Sequence, residues 1–429
     1  MIVLTAVTGL RNRGVEALVE TTVEGLRGVA PGEEVAVLTQ SPDFDRDHGR
    51  RLGVTFAYDG FSMHARFPLL MAGAEAVRSA IGRQSETERS RRLVANAKLA
   101  IASGGDCFSS DYGSIASFLV PLRVARKAGV PFVFLAQSIG PFNDATTKKE
   151  FVSVARDASL VTVRESRSQA YAIDELGLDQ ERVALTADPA FLLEPPPAER
   201  VAQLRAFYGL SDDEPTVAIA LSQGLCSFGG FVGERDGNQL ADQHLASLAA
   251  VVEEALNRFD AQVLLIPHVQ DAWHANDDRL LADRLAEHLG RDPRVKTAWC
   301  SHTASEFKGL IASCDLVVAE RMHAGIAALS TATPVCVVRY SVKADGIIGD
   351  LIGEDAKETG AIIDYEDFLD PKHAVTGLRT AWSNRDAMRS KLLAGKPVAQ
   401  DLARQNFTLL RDRDLLPASA LAAAGEVRT

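Results

Sequence analysis

The chain has 429 residues, 46% hydrophobic and 24% charged, a globular composition too long for one ordinary core, so two domains are expected. Its formal net charge of −11 excludes a nucleic-acid partner, because that affinity rests on a basic face that neutralises phosphates. No apolar run is long enough to span a bilayer, no basic stretch precedes the apolar residues 1–4, and the five cysteines are dispersed without a CxxC pair. A cytoplasmic protein is therefore expected, with any membrane association peripheral.

Short apolar runs alternate with helical patterns, the signature of βαβ units and a mostly parallel sheet. Strands are predicted over 2–7, 34–38, 99–102, 131–136, 160–163 and 183–185, with helices over 14–27, 64–81, 113–127, 145–158 and 166–176. Glu194-Pro195-Pro196-Pro197 continues neither a helix nor a central strand and reads as a linker. A second series follows, with strands over 216–221, 262–267, 295–298, 315–319 and 334–338, and helices over 239–259, 277–290, 304–313 and 323–329. The α/β fold predicted is two Rossmann-like domains in a GT-B-type architecture with an interdomain cleft. Residues 1–195 form the N-terminal domain, 196–385 the C-terminal domain, and 386–429 helices with a disordered tail.

In open α/β sheets ligands bind beyond the carboxyl ends of the strands, so polar residues there are the candidates. Ser103-Gly104-Gly105-Asp106 follows a strand, and reads as a substrate loop or as a tight turn. Gln137 and Ser138 end the next strand, before Gly140-Pro141. Arg164 either binds an anion or pairs with Glu165, and Ser166 is placed to cap the following helix. Asp43-Phe44-Asp45 is a DxD string in a polar segment, expected to be solvent-exposed. His268 ends an apolar strand as a substrate or acid/base residue. With Asp271 and His274 it does not make a recognisable metal spacing. Arg321 and His323 sit where a strand hands over to an Ala-rich helix whose N-terminus attracts anions. Arg offers a fork suited to carboxylate or phosphate, and His passes protons near neutral pH. The bland alternative pairs Arg321 with Glu320. Arg339 and Lys343 follow the next strand as further cations, and residues 222–238 form a Gly-rich polar loop placed to act as a lid.

These pieces together resemble the polysaccharide pyruvyl transferase family. The resemblance rests on an ordered set: Asn12-Arg13-Gly14, Gly104-Gly105, Gln137-Ser138-Ile139-Gly140-Pro141, Arg164-Glu165-Ser166 with Ser168, Asp188-Pro189, Ile266-Pro267-His268, Arg321-Met322-His323, and Pro334 through Tyr340 to Lys343. It spans residues 8–350. The chain departs from the family pattern at Val15, Ser103, Ser138 and Glu165, where an acid, a third glycine, a glycine and an aspartate are more usual.

The resemblance implies transfer of pyruvate from phosphoenolpyruvate (PEP) to a sugar of a polysaccharide or its precursor, as a cyclic ketal. His323 would be the general acid, Arg321 the PEP clamp, Lys343 or Arg339 a second cation, and His268 a helper of the acceptor hydroxyl or a phosphate ligand. Gly104, Gly105, Asp106 and Gln137 would line the acceptor side, and Ser138 and Arg164 are further substrate-binding candidates. No metal and no cofactor are implied, PEP being the donor substrate. The partners implied are PEP and a glycan or lipid-linked saccharide acceptor. A GT-B glycosyltransferase using a nucleotide sugar, or a catalytically idle glycan-binding protein, are the alternatives.

Overall fold

The computed structural model describes residues 1–62, 85–110, 113–227, 237–340 and 342–416. Two compact units divide the chain. The first holds Met1–Leu10, Leu18–Pro189 and the stretch from Asp401, and the second holds Arg11–Ala17 and Ala190–Gln400. The division thus falls just before the proline run rather than at residue 195, and after residue 385.

The first unit is built on a parallel sheet of eight strands: β1 (Ile2–Val7), β2 (Val35–Thr39), β3 (Thr55–Tyr58), β4 (Leu99–Ala102), β5 (Gly105–Phe108), β6 (Phe132–Ile139), β7 (Leu160–Val163) and β8 (Val183–Leu185). The strand order is β3-β2-β1-β4-β6-β7-β8, with β5 beside β6. Both β1 and β6 are buried along their whole length, which is why they read as continuous apolar runs rather than alternating ones. Each carries a bulge near its carboxyl end, with Ala6 at φ 61° and Ala136 at φ 48°, inside register shifts against β2 and β7. Non-glycine residues hold this left-handed conformation at a cost of about 1–3 kcal/mol, and bulges re-aim the side chains that follow. Strands β3 and β5 were not predicted: β3 is partly exposed, and β5 falls in the Gly-Gly segment read as a loop.

The second unit carries β9 (Thr216–Ala220), β10 (Gln262–Leu265), β11 (Val295–Thr297), β12 (Leu316–Ala319), β13 (Val335–Arg339) and β14 (Ile362–Asp364). Their order is β11-β10-β9-β12-β13-β14, all parallel. This is the Rossmann order, and its direction reverses between β9 and β12. Helix Gly237–Arg258 packs on the sheet through Leu240, Leu248, Val251, Val252 and Ala255, at helical spacing, and His244 lies on the same buried side. Each fully buried Leu or Val here contributes about 1.5–3 kcal/mol. The core therefore fixes where β9 and β12 end.

Among the described residues no helix is long and apolar enough to cross a membrane. The helix predicted over 64–81, most of the 222–238 loop and the tail from 417 lie outside the described residues.

Candidate functional site

In the second unit the sheet's switch point sets the candidate site. Strand β12 ends at Ala319, and Glu320 and Arg321 lead into helix Met322–Ser330, whose N-terminus no side chain caps. Glu320 does not pair with Arg321. It is buried, accepts the Ser222 N–H from the end of β9 at 2.6 Å, and meets His244 Nε2 at 2.5 Å.

Arg321 is held instead by Asp278, through Nε to Oδ2 at 3.1 Å and Nη2 to Oδ1 at 2.5 Å, and it also reaches Asn276 Oδ1 at 3.0 Å. Asp278 is fully buried and accepts two backbone N–H groups besides, from Gln223 at 2.9 Å and Val269 at 2.8 Å. Burial raises the Asp278 carboxyl, and the four converging donors oppose that rise. For Arg321, burial disfavours the charge and the Asp278 carboxylate more than offsets that, so the guanidinium stays protonated. One carboxylate therefore orients the Arg fork and pins the loops after β9 and β10. Asp278 was missed in the sequence because it reads as an ordinary helix-start acid.

His323 and His268 face one small cavity of about 10 Å³, together with Arg13 and Lys308. The volume is about that of one water molecule. His268 is buried, and its pKa is pushed well below the ordinary value, first by burial and then by the charges of His323, Arg321 and Arg13. It is a neutral imidazole at pH 7. Gly14 abuts His323: a Cβ there would stand 2.4 Å from Nδ1. Its neighbour Asn12 accepts the Gly14 N–H at 3.0 Å and forms a bridge to Val269. Arg13 has no exposed surface. Its N–H reaches the His268 carbonyl at 3.2 Å, and its guanidinium binds Gln270 at 3.2 Å and Ser301 at 2.9 Å. The Asn12-Arg13-Gly14 segment thus belongs to this site and braces both histidines. Nothing local in the sequence marks Arg13 for this place.

Arg339 is committed elsewhere. It pairs with Asp345 at 2.5 Å and with Asp364 at the end of β14. Lys343 opens helix Val342–Ile352, and its side chain lies outside the described residues.

The first-unit candidates are struts of that unit's loops. Gln137 has no exposed surface, and its amide donates to the carbonyls of Ala102 (3.1 Å), Ser103 and Leu135. Ser138 accepts from Arg164 Nε at 2.8 Å, and Arg164 binds Asp188 at 2.6 Å. Gln137, Ser138 and Arg164 are buried, and these hydrogen bonds tie them to the strand ends and to Asp188. Gly104 packs so that a Cβ would meet Leu18 and the Ala136 and Leu135 carbonyls at 3.2–3.3 Å, and Gly105 has φ 124°, open only to glycine. Asp106 is half-buried and adds its charge to the surroundings of Arg164. Two other expectations are corrected. Glu165, not Ser166, caps the next helix, accepting the Ser168 N–H at 2.9 Å. Asp45 is buried in helix Pro42–His48, accepting Leu10 N–H at 2.9 Å and the Thr39 hydroxyl at 2.5 Å, so only Asp43 of the DxD string is exposed.

Solved structures with the same fold include the S. aureus MnaA–UDP complex, with TM-score 0.62 and 11% identity over 97% of this chain and 99% of that one. UDP-GlcNAc 2-epimerase from Neisseria meningitidis bound to UDP-GlcNAc is alike, with TM-score 0.61 and 11% identity over 96% and 99%. The chain is thus of the two-Rossmann-unit, GT-B-type class. It belongs to the polysaccharide pyruvyl transferase family, whose profile matches residues 12–342. A curated relative, the amylovoran biosynthesis protein AmsJ of Erwinia amylovora, is 25% identical over 273 residues. The match covers 62% of this chain and 62% of that relative's length.

Proposed function

We propose that this enzyme transfers pyruvate from PEP to a sugar of a polysaccharide or its precursor and leaves it as a cyclic ketal. The C2–O bond to phosphate breaks, the PEP methylene gains a proton and becomes a methyl group, and two sugar hydroxyls bond to C2 as their protons leave. The observation that carries this reading, beside family membership, is the convergence of a carboxylate-oriented Arg321, His323 and a neutral His268 at the switch point of one sheet.

Arg321 is the anion clamp, since its planar fork suits both PEP groups and its orientation is preset by Asp278. His323 is the acid that delivers the proton to the methylene carbon. His268, kept neutral, takes the proton of the attacking hydroxyl. The helix Met322–Ser330 offers its N-terminal dipole to the departing phosphate. No metal or cofactor enters this scheme, because Arg and the helix end supply the countercharge. The acceptor is a glycan or lipid-linked saccharide, and a cytoplasmic enzyme with peripheral membrane association suits such a substrate.

Melting curves test the donor. PEP is expected to raise the melting temperature of the wild type, with the shift lost in Arg321→Ala, because a ligand of the folded state stabilises it. A shift with UDP-GlcNAc and none with PEP would replace this reading by a nucleotide-sugar transferase.

A further inference from the structure

Behind Glu320 the second unit holds a polar cluster that the proposed chemistry does not use. The Cys226 sulfur lies 3.5 Å from His244 Nδ1 and 3.4 Å from the Tyr365 hydroxyl. On the other side of the same ring, His244 Nε2 meets Glu320 Oε1 at 2.5 Å. Thiol, imidazole and carboxylate are therefore in series. Because the sulfur and the carboxylate use opposite ring nitrogens, they do not converge on a point, and the arrangement is a relay rather than a metal site. His244, Glu320 and Tyr365 are buried, whereas Cys226 is half-buried and forms part of the wall of a cavity of about 210 Å³, with Gln223, His244 and Arg284.

We propose that Cys226 is a modification site for small hydroperoxides: its sulfur is the nucleophile, His244 the proton partner, and Glu320 the group that orients the imidazole. In the step, the sulfur attacks the terminal peroxide oxygen. An S–O bond forms as the O–O bond breaks, the sulfur is oxidised by two electrons to a sulfenic acid, and the peroxide is reduced to an alcohol or water. The leaving oxygen takes the proton held between sulfur and His244, so thiol and hydroperoxide give sulfenic acid and alcohol with nothing left over.

The other cysteines set the contrast. Cys314 and Cys336 are buried, and burial pushes both thiols up to about 12, which leaves them inert. Cys107 is tied to the Ala6 carbonyl at 3.6 Å. Cys300 is exposed, and its thiol neighbours the Tyr208 hydroxyl, which meets His302 Nε2 at 2.6 Å, so it has a hydroxyl rather than an imidazole beside the sulfur and is the exposed comparison. An imidazolium beside a thiol favours the thiolate, and the thiolate is the reacting form. A neutral thiol that merely fills a buried polar gap would react more slowly than exposed Cys300.

The experiment exposes the full chain at pH 7 to hydrogen peroxide with dimedone as trap and follows each cysteine by peptide mass spectrometry. Cys226 should be labelled about tenfold or more faster than Cys300, and His244→Gln should bring it down to the Cys300 rate. Should that variant not fold, the ratio of the two labelling rates in the wild type decides alone. Labelling of Cys226 no faster than Cys300, or labelling undiminished in a folded His244→Gln, overturns the proposal.

Discussion

Replacing Asp278 by Asn changes almost no volume and should be among the most damaging substitutions in the second unit. Both carboxylate oxygens are doubly engaged: Oδ1 accepts from Arg321 Nη2 and the Gln223 N–H, and Oδ2 from Arg321 Nε and the Val269 N–H. An amide placed either way points its own N–H groups at two donors. It also leaves a buried guanidinium without its countercharge. Breaking one partner of a buried pair costs about 3–5 kcal/mol. For a unit of this size, each kcal/mol lowers the melting temperature by about 2–4 °C, so a drop of about 6–20 °C is expected. The assay is thermal unfolding by circular dichroism beside Asp283→Asn, whose carboxylate makes only an exposed pair with Arg291 and whose loss should stay within about 1 kcal/mol. An Asp278→Asn protein that melts with the Asp283→Asn control would refute the argument that this carboxylate holds Arg321 and the two loops.

Gly14→Ala should displace the His323 ring, given the 2.4 Å approach, and should lower kcat by about 10²-fold or more while leaving the fold's circular dichroism in place. His323→Ala should cost about 10²–10⁴-fold in rate if it delivers the proton, measured with PEP and a competent acceptor. Burial opposes protonation of His244, but the Glu320 carboxylate raises it further, to about 10 from an ordinary 6.5. A raised folded-state value means that the stability it brings is complete below pH 6.5 and is lost as pH rises through about 10. The urea midpoint of the wild type should therefore fall between pH 7 and 10, and Glu320→Gln should flatten that fall. For His268, whose value is depressed, the sign is opposite: its stability is complete above about pH 6.5 and erodes as the solution is acidified, a slope that His268→Gln should remove.

The sheets were legible in the sequence because their strands are buried on both faces and read as unbroken apolar runs, as in β6 and β12. The strand-to-helix turn at Arg321 and His323 was legible for the same reason, with Pro334 marking the next strand's start. What orients those residues was not. Asp278 lies 43 positions before Arg321 in sequence, and nothing local distinguishes it from Asp277, which only caps its own helix and pairs with Arg279. Arg13 is a polar residue at a helix start, and only the fold shows it wholly buried beside His268. Asn406 shows the same limit in the first unit. It sits in a mostly polar helix yet binds the Thr162 hydroxyl at 2.6 Å and the Ala187 carbonyl at 2.8 Å, both more than two hundred residues earlier. Conversely, Gln137, Ser138 and Arg164 were singled out by position at strand ends. Polar residues there either meet a ligand or satisfy the bent backbone, and the bulge at Ala136 makes the second use necessary.

The most direct test follows the pyruvyl carbons themselves. Carbon-labelled PEP is incubated in deuterated water with the enzyme and the saccharide fraction, lipid-linked and polymeric, of the cells that make it. The account predicts labelled pyruvyl ketal on a saccharide, a new methyl group bearing one solvent deuterium, an equal amount of released phosphate, and none of these with His323→Ala. Label that stays in PEP while a UDP-sugar is transferred to the same saccharides, or ketal formed at an undiminished rate by His323→Ala, would contradict it.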